Sequence, residues 1–145
     1  MDEASLRAAI VAEALSWVGT PYHHRGRVKG VGVDCAQILI ETFSAVGLIE
    51  RFDTGEYPMD WACHRDDERF LARVRQFARP IEHAQPGDVL VYRYFRCYSH
   101  GAIVVDDRLM VHSFIHRGVE LVERDEFASR PHLAFTLLGT SCQAG

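Results

Sequence analysis

Cysteine is scarce in this chain and poorly placed for a stapled scaffold. Only Cys35, Cys63, Cys97 and Cys142 occur in 145 residues, with no CxxC pair among them. That spacing excludes a zinc knuckle and a thioredoxin-type redox motif, and the low density excludes a disulfide-built fold. All four read as reduced thiols. An excess of one charge is also missing. Sixteen Lys and Arg face 20 Asp and Glu, a net charge of −4, so no clustered basic face argues for nucleic acid. No apolar run reaches bilayer-spanning length. The start, Met1-Asp2-Glu3-Ala4-Ser5, is acidic where a secretory signal is basic, and Arg7 and Glu13 interrupt any apolar core. Synthesis in the cytoplasm without a signal peptide is the expectation. Repeats, linkers and low-complexity segments are absent too, and the length suits one domain, residues 1–145.

What is present is ordinary globular material, 48% hydrophobic and 25% charged. Leu6, Ile10, Ala14 and Trp17, with Val11, Leu15 and Val18 beside them, predict an amphipathic helix over Ala4–Val18, ended by Gly19-Thr20-Pro21. A loop rich in glycine and basic residues follows, from Tyr22 to Val33. Ile38, Leu39, Thr42, Phe43 and Val46 recur at helical spacing up to Gly47. A third helix is predicted from about Asp66 to Ala78, closed by Pro80. After the turn Pro86-Gly87-Asp88 the character changes to strands, over Val89–Tyr92, Gly101–Val105, Leu109–Phe114, Val119–Val122 and Leu133–Leu138. Helices first and mostly antiparallel strands second predict an α+β fold, N-terminal helices packed on a sheet.

The stretch Gly30-Val31-Gly32-Val33-Asp34-Cys35-Ala36-Gln37 carries the chemical signal. Asp34 is a good N-cap residue. Cys35 then falls in the first helical turn, where free N–H groups and the helix dipole favour an anion. A cysteine there also packs simply as a small hydrophobe; read as chemistry, the position implies a lowered thiol pKa and a nucleophile. A nucleophilic thiol needs a base, and the base an orienting partner. His100 and His112 are candidates on adjacent strands, subject to one geometric condition. A two-residue turn at Asp106-Asp107 puts them on opposite faces of the sheet. A three-residue loop, Asp106 to Arg108, pairs Ala102 with His112 and puts both on one face. Gly101 and Ala102 leave room for a helix to approach, and N–H groups of Cys35 and its neighbours are available as an oxyanion hole. His64, His83 and His132 read as surface or core-satisfied residues, and His116 is open. His23 and His24 can line a cleft, while Arg25, Arg27 and Lys29 read as solvated loop charges.

Five segments in order carry a resemblance: Gly19-Thr20-Pro21-Tyr22, Gly32-Val33-Asp34-Cys35, Gln85-Pro86-Gly87-Asp88-Val89, Ser99 to Val105, and Met110-Val111-His112. Together they resemble the NlpC-type cell-wall cysteine peptidases, a papain-like, circularly permuted family that hydrolyses peptide bonds in peptidoglycan stem peptides. In style the chain is most similar to phage-tail and gene-transfer-agent members. The resemblance implies Cys35 as nucleophile, His100 as general base and acid, and His112 as the residue orienting His100. It implies Tyr22 near the oxyanion and Asp34 facing the amine end of the substrate. Where many members have Ser-Gly after the nucleophile, this chain has Ala36-Gln37, which puts Gln37 among the expected substrate contacts.

The expectation is a cysteine endopeptidase without cofactor or metal, acting on peptidoglycan peptides at a γ-D-glutamyl–diamino acid bond, with phage-tail proteins as partners and no nucleic acid or membrane span. Three alternatives stand beside it. One is a thiol amidase, thioester hydrolase or acyltransferase on a non-wall substrate, and another a catalytically silent tail-assembly module. The third, a metal site of Cys97, His100, His112 and His116, lacks any HExxH or paired-cysteine spacing.

Overall fold

Helix α1 (Glu3–Leu15) begins where the Asp2 carboxylate accepts the Ser5 N–H at 2.7 Å. The structure, a computed structural model, describes residues 1–57 and 68–139. Although the apolar stripe continues to Val18, α1 stops at Leu15. The N–H groups of Trp17 and Val18 bond to the carbonyls of Ala14 and Leu15, a tightened last turn, before Gly19 takes φ +94°. Trp17 is buried all the same.

The segment expected to be a loop contains a small hairpin, β1 (Arg27–Val28) and β2 (Gly32–Val33). It feeds α2 (Gln37–Ala45), whose entry turn is capped by Asp34, one carboxylate oxygen accepting the N–H groups of Ala36 (3.1 Å) and Gln37 (2.9 Å). The exit is a Schellman arrangement. Gly47, at φ +82°, donates to the Ser44 carbonyl, and Leu48 donates to Phe43. Helix α3 (Arg69–Phe77) ends one residue before the expected Ala78; its expected start at Asp66 lies outside the described residues. Pro80 does not close this helix. It sits in β3 (Arg79–Ile81), an edge strand opposite Phe135, where its missing N–H is tolerated.

The remaining strands are β4 (Val89–Tyr94), β5 (Cys97–Val104), β6 (Leu109–Phe114), β7 (Gly118–Glu123) and β8 (His132–Thr136). They form a six-stranded antiparallel sheet in the order β3-β8-β4-β5-β6-β7. Alternation along each strand gives the sheet two apolar faces. Val89, Val91, Ile103, Val111 and Phe135 pack against Ile10, Ile38, Leu39 and Phe43 of the helices. Leu90, Tyr92, Ala102, Val104, Met110 and Val122 form a second layer with Phe127. At Gly101 the helices press close: a Cβ there would lie 2.6 Å from Leu39 Cδ1 and 3.1 Å from Phe70 Cζ.

The hairpin between β5 and β6 has the three-residue loop. Ile103 pairs with Val111 and Val104 with Met110, and the Val105 N–H meets the Leu109 carbonyl at 2.9 Å. Continued by one step, that register sets Ala102 opposite His112.

Candidate active site

Beyond Ala102 the sheet loses its regularity. β5 pairs with β4 at Tyr92↔His100 and then at Arg93↔Tyr98, so Ser99 is the extra residue of a bulge. Bulges re-aim groups that a flat ladder would hold in line. Among the described residues the ladder between β5 and β6 consists of two pairs, both on the far side of His100 and His112. Into the parted end runs the segment before α2. Ser113 on β6 donates its hydroxyl to the Val33 carbonyl at 2.7 Å, and the Cys35 thiol donates to the Ser99 carbonyl on β5 at 3.5 Å. The thiol thus meets the backbone one residue before His100, whose side chain stands on the other face of the sheet.

The two imidazoles are joined directly. His100 Nε2 lies 2.8 Å from His112 Nδ1. His112 is fully buried and His100 is 7% exposed. His112 Nε2 continues the line to Glu120 Oε2, also at 2.8 Å. Around them stand Tyr92, Tyr94, Phe114 and Phe127, with Tyr94 edge-on to His100 at 5.5 Å. Burial, with help from His112 and then Arg130, holds His100 well below the usual 6.5. Burial also lowers His112, with the Glu120 bond pulling the other way.

Cys35 differs from the sequence expectation. It keeps an accessible edge, yet protein packs round the sulfur closely enough that burial, followed by the Asp34 carboxylate, pushes the thiol up to about 12. The N–H groups of Gly101, Cys35 and Ala36 act in the opposite direction. The expected lowering fails for a physical reason. The cap that begins the helix is itself an anion, set beside the sulfur, and it consumes the N–H groups of Ala36 and Gln37. Those two are therefore committed, and the donors left near the thiol are the N–H groups of Gly101 and Cys35 and the Tyr22 hydroxyl. Tyr22 is half-buried and stays protonated, its pKa raised by burial and by the neighbouring Cys35 and Asp34. A parallel bridge to Val33 holds it in place, and the adjoining Gly19 and Thr20 bond to Val119 on β7.

Asp34 is 2% exposed and both of its oxygens are occupied. The second oxygen accepts the Arg25 N–H at 2.8 Å and the Tyr57 hydroxyl, with His24 Nδ1 at 3.9 Å. Tyr57 had no signal in the sequence, since it lies in an unpatterned stretch 23 residues from Asp34. Gln37 is buried and holds the same loop, donating to Thr54 Oγ1 (3.0 Å) and the Tyr57 hydroxyl (3.3 Å). His24 lies against Tyr57, while His23, His83, His116 and His132 are exposed, and His64 lies outside the described residues. The basic loop residues are not simply solvated, because Arg27 pairs with Glu41 at 2.9 Å and Lys29 with Glu13 at 3.0 Å.

An α+β domain that sets a helix-start thiol on the strand carrying one of a buried histidine pair is the class this arrangement defines. Comparison with known proteins agrees. The NlpC/P60 family model matches residues 19–134. A protein named "Probable endopeptidase" from Mycobacterium tuberculosis is 31% identical over 107 residues, covering 74% of this chain and 23% of that protein. Its Mycobacterium bovis counterpart matches equally. The chain thus spans about a quarter of these relatives' length. Among solved structures, the NlpC/p60 domain of the peptidoglycan hydrolase SagA superposes with a TM-score of 0.60 at 22% identity, covering 90% of this chain and 97% of that one. A lipoprotein-like NLP/P60 protein of Staphylococcus aureus gives 0.60 at 17% identity, covering 97% and 43%. The chain belongs to the NlpC/P60 family.

Proposed function

We propose that this protein is a cysteine peptidase hydrolysing an amide bond in peptidoglycan stem peptides, with Cys35, His100 and His112 as its catalytic groups. The observation that carries the reading is the Cys35 thiol on the Ser99 carbonyl, one residue from a buried imidazole whose Nε2 is bound by a second imidazole. Relatives named as an endopeptidase and a peptidoglycan hydrolase support the substrate class. In this reading the Cys35 proton passes to His100 Nδ1 as sulfur attacks the carbonyl carbon. Because burial disfavours either charge alone, the transfer is coupled to attack rather than completed beforehand. The oxyanion meets the Cys35 N–H and the Tyr22 hydroxyl. Collapse breaks the C–N bond, His100 protonates the leaving amine, and water hydrolyses the thioester with His100 again as base.

Asp34 enters as a substrate group only when Tyr57 gives up its oxygen, and Gln37 acts through the Tyr57 hydroxyl it holds. A γ-D-glutamyl–diamino acid bond and delivery on a phage tail extend the reading by resemblance. A cavity of about 220 Å³, lined by Ala36, Leu39, Phe43, Phe70 and Phe77, lies beside the nucleophile's neighbour and favours a second reading, an amidase for an apolar acyl group. Digestion of purified peptidoglycan, with mass-spectrometric mapping of new termini, separates the two. We expect new peptide termini with the wild type and none with Cys35→Ala. Turnover of acyl amides with intact muropeptides would overturn the wall reading.

A further inference from the structure

The hydrogen-bonded line from His100 does not end at His112. Glu120 faces His112 directly across the β6–β7 ladder and accepts or shares its Nε2 proton at 2.8 Å. The carboxylate is 21% exposed and is gripped on its outer side by Arg117, Nε to Oε1 at 3.0 Å and Nη2 to Oε2 at 2.9 Å. Arg117 in turn lies over the Phe114 ring at 5.5 Å. A half-buried carboxylate needs such partners to remain an anion there.

We infer that Glu120 is a positioning residue: through His112 it fixes the tautomer of His100, and with it which nitrogen can take the thiol proton. This rests on the catalytic reading of Cys35 and His100. A carboxylate only accepts, so His112 carries its proton on Nε2. His112 Nδ1 is then a lone pair, and His100 Nε2 must carry the proton that fills the 2.8 Å gap between them. His100 Nδ1 is left bare, as a general base requires. When the thiol proton arrives at Nδ1, the Nε2–H bond from His100 to His112 is kept, and no proton leaves the line. Without the carboxylate both rings are free to flip tautomer in series, and half the orientations place N–H against the thiol.

Among the described residues, His112 and Arg130 act on His100; Arg117 and Glu126, besides Glu120, act on His112. Tyr94, which feels both Cys35 and Arg130, packs on His100.

The test is nitrogen-15 NMR of histidine-labelled, substrate-free protein, wild type and Glu120→Gln, with kcat and KM across pH on the same samples. In the wild type His100 should show the Nε2–H tautomer, and in Glu120→Gln a mixture. kcat should fall by about tenfold or more with KM nearly constant, short of the ~10⁴-fold that a wrong tautomer costs when the orienting group touches the base directly. A wild-type His100 protonated on Nδ1 overturns the inference without any variant being made. So does a folded Glu120→Gln with unchanged tautomer and unchanged pH profile. Arg117→Gln, which keeps the carboxylate but loosens its grip, should give an intermediate tautomer ratio if Glu120→Gln fails to fold, and a wild-type ratio there again overturns it. Failure of the peptidase reading is seen separately, as peptidoglycan activity that survives Cys35→Ala.

Discussion

Asp34 has two roles at the residue scale, and they pull against each other. As a cap it stabilises the entry to α2 by roughly 1 kcal/mol; as an anion beside Cys35 it holds the thiol protonated. Asp34→Asn separates the two, because Asn caps about as well as Asp but carries no charge. Its amide nitrogen must turn toward Tyr57, whose hydroxyl can accept, or meet the Arg25 N–H as a second donor. Removing the negative charge favours the thiolate, so the pH midpoint of Cys35 alkylation should move down. Iodoacetamide labelling at a series of pH values, read by mass spectrometry for Cys35 alone, checks this; an unmoved midpoint removes Asp34 as a cause. The capping role of Asp34 was legible from the sequence, and the meeting of His100 with His112 was legible as a condition on the hairpin that its three-residue loop fulfils. Glu120 was within reach of the same counting, because a hairpin turning at Ile115–Arg117 sets it against His112. Tyr57 and the Ser99 carbonyl were not legible. One lies in an irregular loop, and the other depends on a bulge, which leaves no mark in an apolar-polar pattern.

The same contrast holds for whole elements. β6 runs from Leu109 to Phe114, as its apolar pattern predicts, because β7 pairs with it along its whole length. β5 starts four residues before the expected Gly101, since the bulge at Ser99 breaks the alternation that marks a strand. β3 gave no signal, being three residues long with a central proline. The packing of α2 and α3 on β5 depends on Gly101, which has no room for a methyl group without moving Leu39 and Phe70. Gly101→Ala should therefore cost about 1–3 kcal/mol, the usual penalty for overpacking a filled core. It should also draw the thiol away from the Ser99 carbonyl. Chemical denaturation gives the first, and the alkylation rate of Cys35 relative to Cys97 the second. Unchanged stability would mean that the helices are less tightly seated than these contacts imply.

Burial of two histidines in the sheet makes the stability of the whole molecule depend on pH in a defined direction. His100 and His112 both have folded values below the ordinary 6.5, with burial the leading cause. Below pH 6.5 the unfolded chain therefore binds more protons than the folded one, and stability falls as acid is added. The two do not contribute equally. A proton on His112 is met by Glu120 at 2.8 Å, which offsets part of the burial penalty. A proton on His100 meets His112 and feels Arg130, both unfavourable. Most of the acid loss should therefore come from His100. Asp2, Asp106 and Glu123 have lowered values and weaken folding only in stronger acid, below the ordinary carboxylate range near 4. Cys35 works at the other end, where its raised value makes stability decline as pH climbs past 9. Thermal melting of wild type and His100→Gln at pH 7.5 and 5 isolates the histidine effect. The wild type should lose more of its melting temperature between these values than the variant does, because glutamine has no proton to gain. Parallel losses in the two proteins would show that His100 titrates alike in the folded and unfolded chain; a smaller loss in the wild type than in the variant would show that it is already charged in the fold, and the neutral thiol–imidazole resting pair would then have to be replaced by an ion pair.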